Sequence, residues 1–195
     1  RWSGGSRVLA QGNLPPRLAL AAAIALALLA VGATLLLAFV VRPGPATLML
    51  IALALVLAWG YSAPPLRLHS RGLGEPAIAL LVPGLTPLVG YTLQAGSLAL
   101  LPLLAVLPLC CLQFAMLLSI EFPDLAGDAA VGKRTLVVRL GAAQAARLYV
   151  VSLVAAYTLL PFLVGAGLPL EVALAVCLSA PLAAWRAASG WRAIW

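Results

Sequence analysis

The sequence predicts an all-α membrane protein, a multi-span helical bundle, on three observations. Of 195 residues, 64% are apolar and 9% charged, with a mean hydropathy of +1.12, against roughly 45–50% apolar and about 25% charged in globular domains. The apolar residues lie in long runs, several of them reaching the about 18 residues that a bilayer-crossing helix requires. The charges collect between these runs, most densely in Ser119–Gly141, which carries Glu121, Asp124, Asp128, Lys133, Arg134 and Arg139.

Taken in order, Arg1–Arg17 is polar, glycine-rich and basic, and reads as a loop. A first span covers 18–41, and Arg42-Pro-Gly-Pro turns the chain into a second over 46–60. The polar loop 61–75 follows, with Tyr61, Arg67, His69 and Arg71. The third span, 76–93, is broken by Pro83, Gly84 and Pro87, which membrane helices tolerate where neighbours satisfy the freed backbone groups. Gln94–Ser97 turns into a fourth span over 98–120, kinked at Pro102 and Pro108. The charged loop 121–147 leads to spans over 148–164 and 170–185, joined by the turn Gly165–Pro169. That makes six spans in a single transmembrane domain over 1–195, without a soluble domain, linker or internal repeat.

Charge distribution orients the chain. Arg1, Arg7, Arg17, Arg67, Arg71, Lys133, Arg134, Arg139, Arg147, Arg186 and Arg192 fall on one side of the six spans, and Arg42 alone on the other. The positive-inside rule makes the richer side cytoplasmic. This places loops 61–75 and 121–147 and both ends in the cytoplasm, in the cell membrane of a bacterium or archaeon. Glu75, Glu121, Asp124 and Asp128 share that side, and Glu171 faces outward. A net charge of +7 spread singly and in pairs between spans is not a nucleic-acid surface. Cys110, Cys111 and Cys177 lie within apolar runs with no C-x-x-C spacing, so they read as packing residues rather than metal ligands or disulfide partners.

The charged segment carries the chemistry. Asp124 and Asp128 are four residues apart behind Pro123, a residue suited to the first turn of a helix, so both carboxylates fall on one helical face. Two hard oxygen ligands so placed suit Mg²⁺, which keeps several waters and bridges to substrate phosphates. Lys133 and Arg134 can neutralise a departing diphosphate, and Glu121 can add a ligand or hydrogen bond. Solvated acids and bases anchoring a helix end are the simpler alternative. Gly127–Lys133 has the glycine and lysine spacing of a phosphate-binding loop. Arg134 nevertheless occupies the hydroxyl position, Asp128 would sit inside the anion cradle, and no strand pattern precedes it. In loop 61–75, Arg67 and Arg71 can hold diphosphate and Tyr61 can face a carbocation or aromatic acceptor. His69 reads as a surface residue.

These stretches, SGGSRVL at 3–9, YSAPPLRLHSRGLGE at 61–75 and EFPDLAGDAAVGKRTLVVRLG at 121–141, resemble the UbiA superfamily of intramembrane prenyltransferases. They are most similar to its menaquinone branch, which prenylates 1,4-dihydroxy-2-naphthoate. The resemblance implies nine helices around a cavity, of which this chain supplies helices three to eight. It also implies two aspartate-rich motifs that hold Mg²⁺ and the prenyl diphosphate. Asp124 and Asp128 match the second motif; the first would fall before Arg1. The chain is therefore expected to be part of a longer protein and inactive alone. It departs from the pattern at Ser119, where relatives often carry Asn, and at His69, where a Lys is usual.

The implied reaction is Mg²⁺-dependent transfer of a polyprenyl group from an allylic diphosphate to an aromatic acceptor, with loss of CO₂ in the naphthoate branch. Asp124 and Asp128 would hold the metal, and Lys133 and Arg134 would stabilise the leaving diphosphate; Tyr61, Arg67, Arg71 and Glu121 would bind substrate. Other acceptors handled within the superfamily are the alternative: 4-hydroxybenzoate, homogentisate, a chlorophyllide, haem or a glycerol phosphate lipid. A transporter is a third reading, disfavoured because transporters place charges near the bilayer midplane and every acid here lies at a span edge. Prenyl chain length and oligomeric state have no signature in the sequence.

Overall fold

The computed structural model describes residues 11–41 and 44–193, which leaves SGGSRVL at 3–9 and Arg42 outside the described residues. The described residues contain no strand. The helices are α1 (Pro16–Val41), α2 (Pro45–Ser62), α3 (Gly74–Ala95), α4 (Leu100–Ala130), the short α5 (Leu136–Leu140), α6 (Ala142–Gly165) and α7 (Leu170–Ala188). All but α5 are long and apolar enough to cross a membrane, which gives the expected six.

The chain divides into two units, Arg1–Gly44 and Pro45–Trp195. In the first, α1 opens on Pro16, whose missing N–H costs nothing in a first turn, and carries no charged residue after Arg17.

In the second unit, the proline-broken helices show how a membrane helix absorbs a breaker. Around Pro83, α3 widens to a π-helical turn over Leu81–Leu85, and the Thr86 hydroxyl donates to the Leu81 carbonyl at 3.0 Å. The extra residue makes room for the proline ring, and the Leu81 carbonyl accepts from both the N–H and the hydroxyl of Thr86. Helix α4 is interrupted at Val106 and resumes with Pro108 in its next first turn. Gly84 lets α3 approach α4 closely: a Cβ there would stand 3.2 Å from Cys110 Sγ. Cys110 thus serves in packing, as its apolar setting implied.

Helices α4 and α6 form the main packed pair. Ala115, Ala145, Ala146 and Ala156 are fully buried, and such small residues let helix backbones come close where lipid offers no hydrophobic drive to associate. One apolar cluster gathers Leu50, Leu85, Leu88 and Val106 from α2, α3 and α4. A second, Leu118, Val137 and Ala145, ties α5 to α4 and α6 beneath the charged segment. Large apolar side chains such as Phe162 and Leu178 remain exposed, as lipid-facing residues do.

Two boundaries differ from the hydropathy reading. Helix α4 runs past Ile120 to Ala130, because Pro123 enters a 3-10 turn over Phe122–Asp124 that joins two α-helical stretches. Pro123 sits in the first turn of that 3-10 segment, as a first-turn residue should, but the segment continues α4 rather than opening a separate span. Helix α6 starts at Ala142 rather than 148, since the segment AAQAAR forms helix readily but is too polar to register as a span. Much of 121–147 is thus helix, not loop.

Leu118 is fully buried between α4, α5 and α6, whereas Phe162 is exposed. Leu118→Ala should destabilise the detergent-solubilised protein by about 2–5 kcal/mol, and Phe162→Ala should leave its thermal unfolding unchanged.

Candidate active site

The second unit brings loop 61–75 against the segment 131–141. Helix α2 ends beyond Tyr61, and the chain turns through a 3-10 segment, Leu68–Ser70, before α3 begins. Arg67 takes a left-handed conformation at φ 44°, uncommon for a residue with a Cβ, and its carbonyl accepts from both the Ser70 N–H and hydroxyl at 3.0 Å. The Gly-Leu-Gly that follows is dictated by space. Gly72 has φ +69° and a Cβ there would lie 2.7 Å from Arg139 Cδ; at Gly74 it would lie 2.7 Å from His69 Cα and 3.2 Å from the Tyr61 ring.

Two polar links close the junction. Glu75 Oε1 accepts the Leu136 N–H at 2.6 Å, and the Arg139 guanidinium donates to the Arg71 carbonyl. Thr135, buried at the start of α5, accepts from the Val138 N–H at 3.4 Å and so caps that helix. The Thr of Gly-Lys-Arg-Thr is therefore a helix cap.

Between the loops lies a small cavity of about 30 Å³ whose polar walls are Tyr61, His69, Glu75, Glu121 and Lys133. The His69 ring packs against Tyr61 with centroids 5.6 Å apart, and its Nδ1 lies 2.7 Å from the Tyr61 carbonyl. Reading His69 as a surface residue is corrected: it is half-buried, because Gly74 lets the turn fold under Tyr61. Glu75 is only 3% exposed. The second oxygens of Glu75 and Glu121 are both buried without a hydrogen-bond partner.

Lys133 joins this cavity to the aspartates, donating to Asp128 Oδ2 at 2.7 Å. Burial alone would lower the Lys133 ammonium, but the hydrogen bond and charge of Asp128 outweigh it and hold it above the ordinary lysine value. A raised lysine contributes stability below its unfolded pKa and loses it as pH rises through the folded one, so the pair is complete at neutral pH.

Of the residues singled out in the sequence, Tyr61, Glu121, Lys133 and Asp128 come together. Asp124 sits one helical turn before Asp128 and is exposed, as is Arg134. Arg67 and Arg71 are also exposed, and Arg71 is tied to Arg139 through its carbonyl rather than its guanidinium. Among the described residues no three His, Cys, Asp or Glu side chains converge as a metal-holding group. Asp124 and Asp128 are hard oxygen donors of the kind Mg²⁺ takes, and they suit an ion whose remaining ligands are water and substrate oxygens. Sequence reasoning passed over Glu75. Its signal was an acid at the edge of an apolar run, directly after two closely spaced glycines.

A chain whose apolar helices cross the bilayer and whose carboxylates and lysine gather at helix ends is an integral membrane protein with a polar site at the membrane edge. The model of the UbiA prenyltransferase family matches residues 5–194, and the chain belongs to that family. Its members act on a prenyl diphosphate and an acceptor within the membrane. No curated protein and no solved structure matches the chain.

Removing the Glu75 acceptor strands the Leu136 N–H. Glu75→Ala should cost about 1–3 kcal/mol and speed hydrogen exchange at the Leu136 amide, whereas Glu75→Gln, which keeps the carbonyl oxygen, should protect that amide. The Lys133–Asp128 pair should add a Tm contribution that is constant near neutral pH and fades above about pH 10.4, the ordinary lysine value; melting curves of the parent protein and Lys133→Met across that range measure it.

Proposed function

We propose that this protein transfers a polyprenyl group from an allylic prenyl diphosphate to an aromatic acceptor in a Mg²⁺-dependent reaction, with 1,4-dihydroxy-2-naphthoate as acceptor and loss of its carboxylate, a step of menaquinone biosynthesis. The observation that carries the reading is Asp124 and Asp128 one turn apart at the end of α4, with Lys133 on Asp128. The naphthoate assignment rests on the likeness of YSAPPLRLHSRGLGE at 61–75.

Asp124 and Asp128 would hold Mg²⁺, which would supply positive charge against the diphosphate. Lys133 and Arg134 add positive charge where the leaving group departs. Arg67 and Arg71 lie exposed on the facing loop and draw in the diphosphate from solvent. Tyr61 presents its ring face toward the cation and acceptor. The apolar helices keep water from the allylic cation and receive the polyprenyl tail. The carboxylate end faces the cytoplasm, in accord with the arginine and lysine distribution.

A transporter reading gains no support, because Glu75 and Glu171 lie in the first turns of α3 and α7 and Glu121 closes the α-helical stretch Leu107–Glu121 of α4, where the 3-10 turn begins. Asp124→Asn and Asp128→Asn should each lower prenyl transfer in membranes by about 10²-fold or more, the scale of losing one electrostatic partner of the transition state, and chelation of Mg²⁺ should abolish it. Full activity in both variants, assayed with naphthoate and radiolabelled prenyl diphosphate, would refute the metal assignment.

A further inference from the structure

A second cavity lies in the Pro45–Trp195 unit, well away from the carboxylates. It measures about 280 Å³ and is walled by α3, α4, α6 and α7, with Tyr91 the one lining residue that carries a polar side chain. Prolines account for the space. Pro87, Pro102 and Pro108 line it, beside the point where α3 leaves its π-helical turn and α4 is interrupted at Val106. Helices bent in this way part from one another, and no side chain fills the gap. Leu88, Val106 and Leu160 are buried walls, whereas Leu109 and Val172 are exposed and leave one side open to lipid.

Helix geometry gives its depth. Pro87 and Tyr91 lie 12 and 16 residues past Glu75 on α3, and Leu109 lies 15 residues before Asp124 on α4. At the helical rise these counts correspond to about 18–24 Å. Both helices therefore put the cavity at one depth, toward the opposite end of the bundle from the carboxylates. Its capacity follows from its volume. An apolar cavity of about 150 Å³ accepts benzene, with its six carbons. By that scale the present one accepts roughly ten carbons, or two isoprene units.

We propose that this cavity binds the far end of the prenyl donor's tail and so sets the donor length that the protein prefers. The inference rests on the prenyl-transfer reading and adds to it the length of the chain transferred. Each isoprene unit places four bonds of about 1.5 Å in the chain and extends it by ~5 Å. About four or five units span the distance from the diphosphate, and two more fill the cavity. A donor of about six or seven units is thus held at both ends, and further units emerge through the open side into lipid. Atoms that line an empty cavity forfeit contacts, which a branched hydrocarbon restores. The donor's tail is the hydrocarbon that the bound diphosphate delivers to these helices, and family members act on a prenyl diphosphate within the membrane. Ala105 on α4 and Val176 on α7 line the cavity and lie outside the carboxylate site.

Transfer to 1,4-dihydroxy-2-naphthoate, measured in membranes with donors graded from geranyl to octaprenyl diphosphate, tests the assignment. In the parent protein kcat/KM should climb with donor length and level off at about six or seven units. Ala105→Phe and Val176→Phe fill the cavity from two different helices. Each should lower kcat/KM for hexaprenyl and longer donors by about 10-fold or more and leave geranyl and farnesyl diphosphate unchanged. Equal losses at every length, or a length profile that neither variant alters, would overturn the proposal. Photolabelling keeps the test independent of the variants. Heptaprenyl diphosphate with a diazirine on its terminal unit should cross-link the unmutated protein at the cavity walls in α3, α4 or α7. Labelling confined to other surfaces would overturn the proposal. So would cavity labelling by a diazirine-bearing phosphatidylglycerol that heptaprenyl diphosphate fails to displace, since the occupant would then be a lipid chain. Absence of transfer with every donor sinks the transferase reading, whereas transfer with the tail labelled elsewhere sinks only the tail site.

Discussion

The hydrogen bond from the Leu136 N–H to Glu75 Oε1 is the contact on which the site depends. It joins residues far apart in sequence, and it places a carboxylate on the exposed first turn of a short helix, where N–H groups lack helical partners. Helix α5 is too short to hold itself together by propensity. It stands because Thr135 caps it, Glu75 holds its first turn, and Val137 is buried against Leu118 and Ala145. With α5 fixed, the segment before it is also fixed, and Lys133 is delivered to Asp128.

The membrane explains why polar interactions can organise so much from so few residues. In lipid, apolar burial distinguishes weakly between one helix arrangement and another, so close backbone contact and scarce polar links set the geometry. Here Gly72, Gly74 and Gly84 and the buried alanines of α4 and α6 permit the approach. The polar links cluster at the end of the bundle where charge is tolerated. That end then carries the ionisable groups a phosphoryl-bearing substrate needs, while the helix bodies offer an apolar medium for its tail.

The same economy gives each charge at this end a distinct setting. Asp124 is exposed, Asp128 is half-buried on Lys133, and Glu75 is sealed in the interior. Carboxylates in such different surroundings differ in their access to water and in the charged groups that face them. Family membership supplies the reaction class.

Much was legible in the sequence because it rests on local chemistry. Six apolar runs determine an all-α membrane fold, since a backbone in lipid must satisfy its own hydrogen bonds within each segment. The four-residue spacing of Asp124 and Asp128 determines that they share a helical face. Tertiary structure alone decided what depends on residues distant in the chain: Glu75 bonded to Leu136, Gly74 drawing His69 beneath Tyr61, and Lys133 spanning the cavity and Asp128. It also decided that α4 continues through Pro123 to Ala130, because hydropathy registers where apolar residues stop and not where helical hydrogen bonding does. Composition and spacing act along one segment at a time, whereas a site made of two loops exists only once the helices that carry them have packed.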